Sequence, residues 1–538
     1  MKSALFIALC FSCLSPYDSS AQSLAHKGWQ GSGLALDPWW KTAVFYELDP
    51  LCFQDSNADG IGDLAGVASR LDYLQALGVD AVILSPFQLA ATNHPGQDPP
   101  ALDPVYGTLD DFAELQRLAG THRIRLLVDI PLSSSRTPAD TVALARFWLS
   151  RGVAGLRLTQ DRAILGDSLS PIALQERFTA LRRVTDSFAG QRVLIRDLAP
   201  QSISAAPPQA AFEIHSRPTS SPSDPISRSQ RSYSVRTSIL SSPRPQMSVM
   251  DDLIQLSTFT APAFQSFLQT DSKIQPSDPV LIAHTDQQNL ARSLDRIPNR
   301  IPGRIASSNP EAPDKLRARA KIFAAILLLS KPSPLLYFGQ ELGMATAPTG
   351  RPQESAAELK AANAKPTIAL SPMQWGDAPG LTTGTPRIDP GPNTSEATAQ
   401  REESDPASLL NWYRKLSALR HGNEAMRSGT QNLLTTGNPQ ILAWVRRAAP
   451  SQPAVFIVCN ISAQATFVPL SATLRQAGVP ATLANIRTLA VSSDEVSGSP
   501  TRAGLALPAY GVYVGQLARH AGLETVVLPA RVSRRRGR

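Results

Sequence analysis

Short apolar runs alternate with segments of helical periodicity through much of this chain. Runs with the character of buried strands lie near 43–48, 79–85, 124–129, 153–158 and 193–197. Between the first two runs, Leu64, Val67, Leu71 and Leu74 recur at helical spacing, and Gly78 is placed to end the helix. Such alternation is typical of a parallel sheet built from right-handed crossovers. A (β/α)8 barrel with an appended domain accounts for the length of 538 residues.

The segment Asp55–Asp63 carries oxygen-bearing side chains at alternate positions, with glycines that allow a tight turn. Such a segment can wrap one hard cation, as calcium requires. With the positions that follow it, the segment resembles the first strand-loop-helix of glycoside hydrolase family 13, the α-amylase and α-glucosidase family. That resemblance implies a structural Ca²⁺ held by the following ligands: Asp55, Asn57, Asp59, the backbone carbonyl of Ile61, and Asp63. The alternative is an acidic, solvated turn.

Further segments resemble the same family from about Trp39 to Arg420. They are Val44-Phe45-Tyr46 for the first barrel strand, Asp103–Thr108 before a helix, Pro334–Met344 for the last barrel strand, and Ser371–Trp375 for a Thr-Pro-Met-Gln-Trp signature. The sixth and seventh strands are predicted at Ala211–His215 and Val280–Ala283. After a helix near Ser408–Arg420, the strand-like runs Ile441–Arg446 and Val455–Asn460 indicate the family's C-terminal β-sandwich, ending near Leu517.

These patterns predict the α/β fold class, with a (β/α)8 TIM barrel followed by a C-terminal β-sandwich. The predicted divisions are a signal peptide at 1–21, the barrel at 22–425 with a low-complexity insertion at 200–250, the sandwich at 426–520, and a basic tail at 521–538. The family normally inserts a substrate-contacting domain after the third strand. Here the third strand ends at Asp129 and the helix Ala139–Ser150 follows almost at once, so that domain is predicted to be missing.

The catalytic positions implied by the resemblance have changed. Retaining glycosidases need a carboxylate nucleophile opposite a carboxylic acid. The family's fourth strand ends in the nucleophile Asp, where this chain has Thr159, a neutral hydroxyl. The acid/base Glu of the fifth strand corresponds to Asp197, whose carboxyl is set back by one methylene. Arg196 and Asp197 could equally form a local ion pair, and Asp161 could replace the nucleophile only with a rebuilt loop.

Among the substrate contacts, the third family carboxylate is kept as Asp286, and the resemblance also assigns Asp98 and Arg157 to substrate binding. Other sugar contacts are lost. The residues at those positions are Pro99, Ser134, Thr285 and Leu370. Because the family's scaffold positions are kept while its reacting centre is not, the chain is predicted to have lost ordinary α-glycosidase activity.

The first residues have the layout of a secretory signal peptide: Lys2, an apolar run from Ala4 to Leu14, and small residues up to Ala21. The chain is therefore predicted to be secreted or periplasmic, and no segment is long enough to span a membrane. Two of the four cysteines would leave with the signal, and Cys52 and Cys459 predict no disulfide framework. The net charge of +8 is concentrated in Arg217–Arg244 and the tail, so nucleic acid is not a predicted partner.

Three functions remain open from the sequence. The first is a non-catalytic secreted protein that binds an α-glucan, a small α-glucoside or a protein partner. The second is an active α-glucosidase or α-amylase-type hydrolase or transferase with replaced catalytic groups. The third is an accessory subunit of a cell-envelope complex. The loss of both catalytic groups and of the inserted domain also resembles the heavy-chain subunits of heteromeric amino-acid transporters, which use the same fold without catalysis.

Overall fold

The computed structural model describes residues 38–87, 102–132, 137–160, 169–197, 247–250, 259–270, 280–284, 313–344, 371–376, 380–387, 397–449, 452–470, 473–474, 486–493, 495, 500 and 504–517. Eight parallel strands close into a barrel in which each strand pairs with the next along the chain and the last pairs with the first. The strands are β1 Phe45–Leu48, β2 Ala81–Leu84, β3 Arg125–Leu132, β4 Gly155–Gln160, β5 Val193–Asp197, β6 Met247–Met250, β7 Val280–His284 and β8 Ser333–Tyr337.

The barrel strands bury both faces, since alternate side chains point to opposite sides of a sheet. One set forms a compact cluster inside the barrel that includes Phe45, Ile83, Leu127 and Ile195. Their neighbours, such as Tyr46, pack against the surrounding helices in a larger cluster. This double burial explains why the sequence shows continuous apolar runs here and no polar alternation.

The helices lie after the strands, as the sequence pattern predicts. They are α1 Pro50–Phe53, α2 Leu64–Ser69, α3 Leu71–Leu77, α4 Leu109–Thr121, α5 Pro138–Ser150, α6 Pro171–Asp186, α7 Ala261–Thr270, α8 Pro313–Leu329, α9 Ala399–Ser404, α10 Leu409–Gly422 and α11 Glu424–Arg427. Side-chain caps set several starts. Thr108 and Thr137 each form a capping box with an aspartate three residues later, which satisfies otherwise unpaired N–H groups of the first turn.

Two connections bear on the predicted organisation. β3 ends at Leu132 and α5 begins at Pro138, so a few residues stand where the family places a whole domain. The connection between β3 and α5 is therefore too short to hold such a domain. The sixth strand was placed wrongly at 211–215: β6 is Met247–Met250, a short run that falls inside the predicted 200–250 insertion. Residues 211–215 themselves lie outside the described ranges.

The C-terminal part is antiparallel, as expected. A five-stranded sheet has the order β13-β15-β11-β10-β9, and β12 pairs with β14. Their bounds are β9 Thr430–Leu433, β10 Ile441–Arg447, β11 Val455–Asn460, β12 Thr466–Val468, β13 Ile486–Val491, β14 Leu505–Leu507 and β15 Val512–Leu517. A second core that includes Ala443, Phe456, Val468 and Leu505 lies between the two sheets. The predicted fold, a TIM barrel with a C-terminal β-domain, is confirmed.

The opposite face of the five-stranded sheet joins the barrel core. Trp444 and Ile457 belong to the same cluster as the helices that surround the barrel. Two buried arginines bind the C-terminus of α8, Arg420 from α10 and Arg446 from β10 of the sheet. Arg420 donates to the carbonyls of Leu328 and Ser330 at 2.8 and 2.9 Å, and Arg446 donates to that of Leu329 at 3.2 Å. They satisfy carbonyls that a helix end leaves unpaired and place positive charge where the helix dipole favours it.

Two sequence predictions can be placed directly in this fold. No helix within the described ranges combines the length and the apolar character that a membrane span requires. Cys52 and Cys459 are both buried. Burial raises the pKa of the Cys459 thiol far above its ordinary value, so that this thiol stays protonated and inert near neutral pH.

Candidate active site

Two of the predicted catalytic positions, Thr159 and Asp197, lie side by side at the carboxyl edge of the barrel, where active sites of this fold are built. Thr159 lies near the end of β4 and pairs in register with Asp197, the last residue of β5. Thr159 is half-buried and lies on the same strand face as Arg157, one layer nearer the edge. Position 159 therefore borders the cleft, and its side chain is a hydroxyl.

Other predicted site residues lie outside what the structure describes. These are Asp98, Asp161 and Asp286, and the side chain of Asp197 is likewise outside it. Their roles stay predictions, as does an ion pair between Asp197 and Arg196. Arg196 itself is half-buried, and burial lowers the pKa of its guanidinium.

Arg157 lies beneath the edge, in the barrel interior, between two carboxylates from other strands. Its Nε and Nη2 donate to Asp129 at 2.7 and 2.6 Å. Its Nη1 and Nη2 donate to Glu47 at 2.7 and 2.8 Å. All three side chains are at most 4% exposed. Burial alone would lower the pKa of Arg157, but Asp129 and Glu47 raise it well above its ordinary value, so Arg157 is charged at every relevant pH.

This arrangement gives Arg157 a clear structural part, because the two bidentate pairs tie β1 and β3 to β4. Its contact with substrate stays a prediction. Neither Glu47 nor Asp129 is predicted from the sequence as a partner of Arg157. A glutamate inside the apolar run 43–48 was the available signal, since a charge in a strand buried on both faces needs a partner.

A further carboxyl group at this edge escaped the sequence analysis. Asp49 directly follows β1, is 5% exposed, and accepts a hydrogen bond from the Leu51 N–H at 3.0 Å as the N-cap of α1. Burial, with a smaller contribution from Glu47, raises the pKa of Asp49 to about 6. The Asp-Pro pair that opens α1 is a recognisable capping signal, but it predicts a helix start and not a perturbed acid.

The predicted calcium loop lies between α1 and α2 and is organised by its own carboxylates. Asp55 Oδ1 accepts from the N–H groups of Asn57 and Ala58 at 2.9 and 2.8 Å. Its Oδ2 accepts from the Gly60 N–H at 2.8 Å and from the Thr382 hydroxyl at 2.6 Å. Burial would raise the pKa of Asp55, but the Thr382 hydroxyl and these N–H groups lower it below its ordinary value. Asp55 is therefore held ionised.

The remaining predicted ligands continue the same pattern. Asp63 caps α2 through the Gly66 N–H at 2.6 Å, and Asp59 accepts from the Ile61 N–H at 2.9 Å. The donors suit a hard cation by chemistry, being carboxylate, amide and carbonyl oxygens. Their arrangement is less favourable: within the described ranges, no group of three or more acidic, histidine or cysteine side chains is placed to hold a metal ion. Calcium binding stays a prediction.

A second segment fixes this loop from outside. The carbonyl of Leu381 accepts from the Asp55 N–H at 3.0 Å, and the Gly60 carbonyl accepts from the Arg387 N–H at 3.1 Å. Gly60 has φ +92°, and a Cβ there would run into the Thr385 carbonyl. Both the backbone conformation and the close approach require glycine at position 60. The loop is thus part of the packed structure.

Comparison with known proteins shows which family and which relatives this chain resembles. The family profile described as "Alpha amylase, catalytic domain" matches residues 48–137 and 288–429. A probable oligo-1,6-glucosidase 2 of Bacillus subtilis is similar over most of both chains, at 23% identity across 77% of this chain and 89% of the relative. A probable α-glucosidase of Rhizobium meliloti is 44% identical over 102 residues, 18% of each chain.

The fold has close counterparts among solved structures. Trehalulose synthase MutB from Pseudomonas mesoacidophila MX-45 superimposes with a TM-score of 0.62 at 20% identity, covering 89% of this chain and 99% of that one. The profile match, the full-length relatives and the barrel with its C-terminal sheet domain agree with one another. Together these comparisons indicate glycoside hydrolase family 13, the α-amylase family.

Proposed function

We propose that this chain is a secreted family-13 protein that has lost ordinary α-glycosidase activity and acts by binding carbohydrate or a protein partner. The observation that carries the proposal is Thr159 at the edge of β4, beside Asp197 on β5. A hydroxyl at that position offers no charged nucleophile to an acetal carbon. Binding through the barrel mouth or the C-terminal sheets does not need one.

Two further features support the proposal. The family profile matches on both sides of residues 138–287 and leaves that segment out, and the segment contains β4, β5, β6 and β7. The lost similarity thus coincides with the strands that carry the catalytic positions. The short β3–α5 connection also removes one wall of the cleft, so a sugar would meet a more open, wetter site. Hydrogen bonds in such a site largely replace bonds to water and net only about 0.5–1.5 kcal/mol each.

The test is an assay of the purified mature protein with aryl α-glucosides and maltooligosaccharides. We expect no turnover, and no gain from Thr159→Asp alone, because a nucleophile without a placed acid lacks the geometry that the reaction needs. Asp197→Ala should leave any trace rate unchanged, as should the control Asp110→Ala on the exposed surface of α4. Turnover above about 1 s⁻¹ that Asp197→Ala or Asp286→Ala abolishes would contradict the proposal.

Binding is measured separately, by titration calorimetry with maltose. We expect millimolar affinity or weaker, since Asp286 and Asp98 have lost their stacking and charged neighbours. Micromolar binding that Asp286→Ala destroys would return the protein to the specific sugar binders or to the enzymes. Weak binding to every glucan tested would favour a protein partner, including an accessory role in a cell-envelope complex. Secretion is checked by sequencing the N-terminus of the exported chain, with cleavage expected after Ala21.

One observation favours the second candidate function, an active enzyme with replaced groups. Asp49 is a carboxyl group at the catalytic edge whose pKa of about 6 suits a general acid. Its burial and its cap bond to Leu51 are explained by helix geometry alone, so we rank this candidate second. Asp49→Asn separates the two, because asparagine keeps the cap and removes the proton. Loss of a measurable rate in that variant would support the enzyme.

A further inference from the structure

A pocket of about 400 Å³ lies outside the barrel mouth, between helices α3, α9 and α10 and the loop that carries Trp375. Two arginines line it, Arg70 from the junction of α2 with α3 and Arg414 from α10. Two acidic side chains, Asp72 and Glu403, line it as well. The catalytic residues discussed above take no part in it, so the pocket is a candidate for a separate activity.

Arg70 is held in one position from two sides. Its Nε donates to Gln54 Oε1 at 2.7 Å, and its guanidinium carbon lies 4.1 Å from the ring centroid of Trp375. An arginine has five N–H donors, and this bond uses one. Within the described part of the chain, no hydrogen bond from the Nη groups of Arg70 is present. The fork of Arg70 is therefore fixed in orientation with donors available to a ligand.

The acidic residues of the pocket are directed to other partners. Glu403 accepts from Arg414 Nη2 at 2.6 Å, and Asp72 accepts from His122 Nε2 at 2.9 Å. Asp72 is 93% exposed, so that its charge is well solvated. Glu403 does lie near enough to Arg70 to favour its charged form electrostatically, and it is therefore the group with which an incoming anion must compete. Partial burial lowers the pKa of Arg70, as expected for a guanidinium that water solvates incompletely.

The ring of Trp375, which lines the pocket, is not available as a stacking surface for a sugar. Trp375 is 8% exposed, and Arg70 covers one face of its ring. Phe53 and Tyr73 meet the ring edge to face at 5.2 and 4.9 Å, and the indole N–H donates to the Phe53 carbonyl at 2.7 Å. No open face is left for a sugar to stack on. The accessible chemistry is a planar fork of N–H donors, which matches the two oxygens of a carboxylate or phosphate.

We propose that this pocket binds a small oxyanion, a carboxylate or a phosphate group, on the fixed fork of Arg70, with Arg414 as a second cation beside it. Glu403 occupies Arg414 in the free protein and sets the strength of binding, because it repels the anion and competes for Arg414. The volume admits a small organic acid or a phosphorylated or oxidised monosaccharide. This site is independent of the barrel mouth, so its test and that of the proposed function succeed or fail separately.

The experiment is titration calorimetry of the full mature chain with two probes, inorganic phosphate and glucuronate, at constant ionic strength set with chloride. Arg70→Gln should weaken binding by roughly tenfold or more, because the charge-assisted bonds are lost. Arg70→Lys should also weaken it, since lysine keeps the charge and lacks the fork. Glu403→Gln should strengthen binding several-fold. The control Arg117→Gln removes an exposed arginine of α4 and should change nothing.

Each outcome of the titrations either supports or contradicts the proposed oxyanion site. Arg70-dependent binding of phosphate, glucuronate or both supports the site and identifies the anion. Binding of neither probe at millimolar concentration, or equal binding by Arg70→Gln, overturns it. Should Arg70→Gln fold poorly because the stack on Trp375 is lost, Glu403→Gln still tests the proposal, since it keeps the bond of Arg70 to Gln54 and its stack on Trp375. Unchanged or weaker binding in that variant then counts against the site.

Discussion

Arg157, which the family resemblance assigns to substrate binding, forms two buried ion pairs that stabilise the barrel. It lies in the first polar layer above the apolar interior of the barrel, where it pairs with both Glu47 and Asp129. Charges so deeply buried persist only when they are paired, because the loss of hydration is large. Removal of the shared cation should therefore be far more damaging than removal of either acid.

We expect Arg157→Met to lower the free energy of unfolding by about 3–5 kcal/mol, since it strands two buried carboxylates. Denaturant unfolding followed by circular dichroism measures this. Glu47→Gln should be milder, because Asp129 keeps its bidentate pair with Arg157. The matched control is Arg182→Met, which breaks a more exposed pair with Asp186 on α6 and should stay within about 0.5 kcal/mol. Equal effects for Arg157→Met and the control would show that the triad contributes little.

His421 provides a titratable contact at the same scale. Its Nε2 lies 2.8 Å from Asp80, and its Nδ1 lies 2.8 Å from the Ser417 carbonyl. The bond to Asp80, ahead of the opposing effect of burial, raises the pKa of His421 above its ordinary value. The stabilisation is thus complete below the unfolded pKa of about 6.5 and is lost as pH rises through the raised folded value.

His421→Gln should therefore cost more stability at mildly acidic pH than at mildly alkaline pH. Both side chains are about a third exposed, so solvent screening should keep the difference below about 1 kcal/mol. Unfolding curves of both proteins across that pH range measure it. His122→Gln is the comparison, since its partner Asp72 is almost fully exposed and its effect should be smaller. A pH-independent difference for His421→Gln would place the effect in packing.

At the scale of elements, the loop Asp55–Asp63 combines two stabilising devices. Its carboxylates accept backbone N–H groups, and the segment 381–387 fixes it from outside. A bound cation would add to this order without being its sole source. We propose that the loop binds one Ca²⁺ through Asp55, Asn57, Asp59, the Ile61 carbonyl and Asp63. Binding to the folded state alone raises stability by mass action.

A chelator should accordingly lower the melting temperature, and added Ca²⁺ should restore it. The shift should be a few degrees, because the hydrogen bonds of Asp55 persist without the ion. Asp59→Ala should abolish the response to calcium while keeping most of the stability, as Asp59 is exposed and, among the residues that the structure describes, bonds only within the loop. An identical melting temperature with chelator and with calcium would identify the loop as an acidic turn supported by its own N–H groups.

For the whole molecule, the architecture could be predicted from the sequence more fully than the site. Seven barrel strands and two strands of the C-terminal sheet, β10 and β11, carry apolar runs or family signatures, and these were predicted close to their observed bounds. β6 was missed because Met247–Met250 is short and borders low-complexity sequence, so that its hydrophobic periodicity is too brief to identify a strand. Glu47 and Asp49 were missed because their environment depends on side chains far away in sequence. Spacing reveals a carboxylate, but only packing reveals its burial and partners.

The packing of α8 against the five-stranded sheet limits where this chain can be truncated. By chain position, a cut near residue 425 looks like a clean border between two modules. Yet Arg446 and Trp444 lie beyond that cut and bond to the carbonyl of Leu329 at the end of α8, while Leu442 and Val514 complete the core on the barrel side. A chain shortened there would keep the bonds of Arg420 but lose those of Arg446 and Trp444 to α8, and it would expose an apolar surface of the barrel. The two C-terminal sheets are therefore a structural part of the barrel. A chimaera made from two related proteins should take the barrel and the sheets from the same parent.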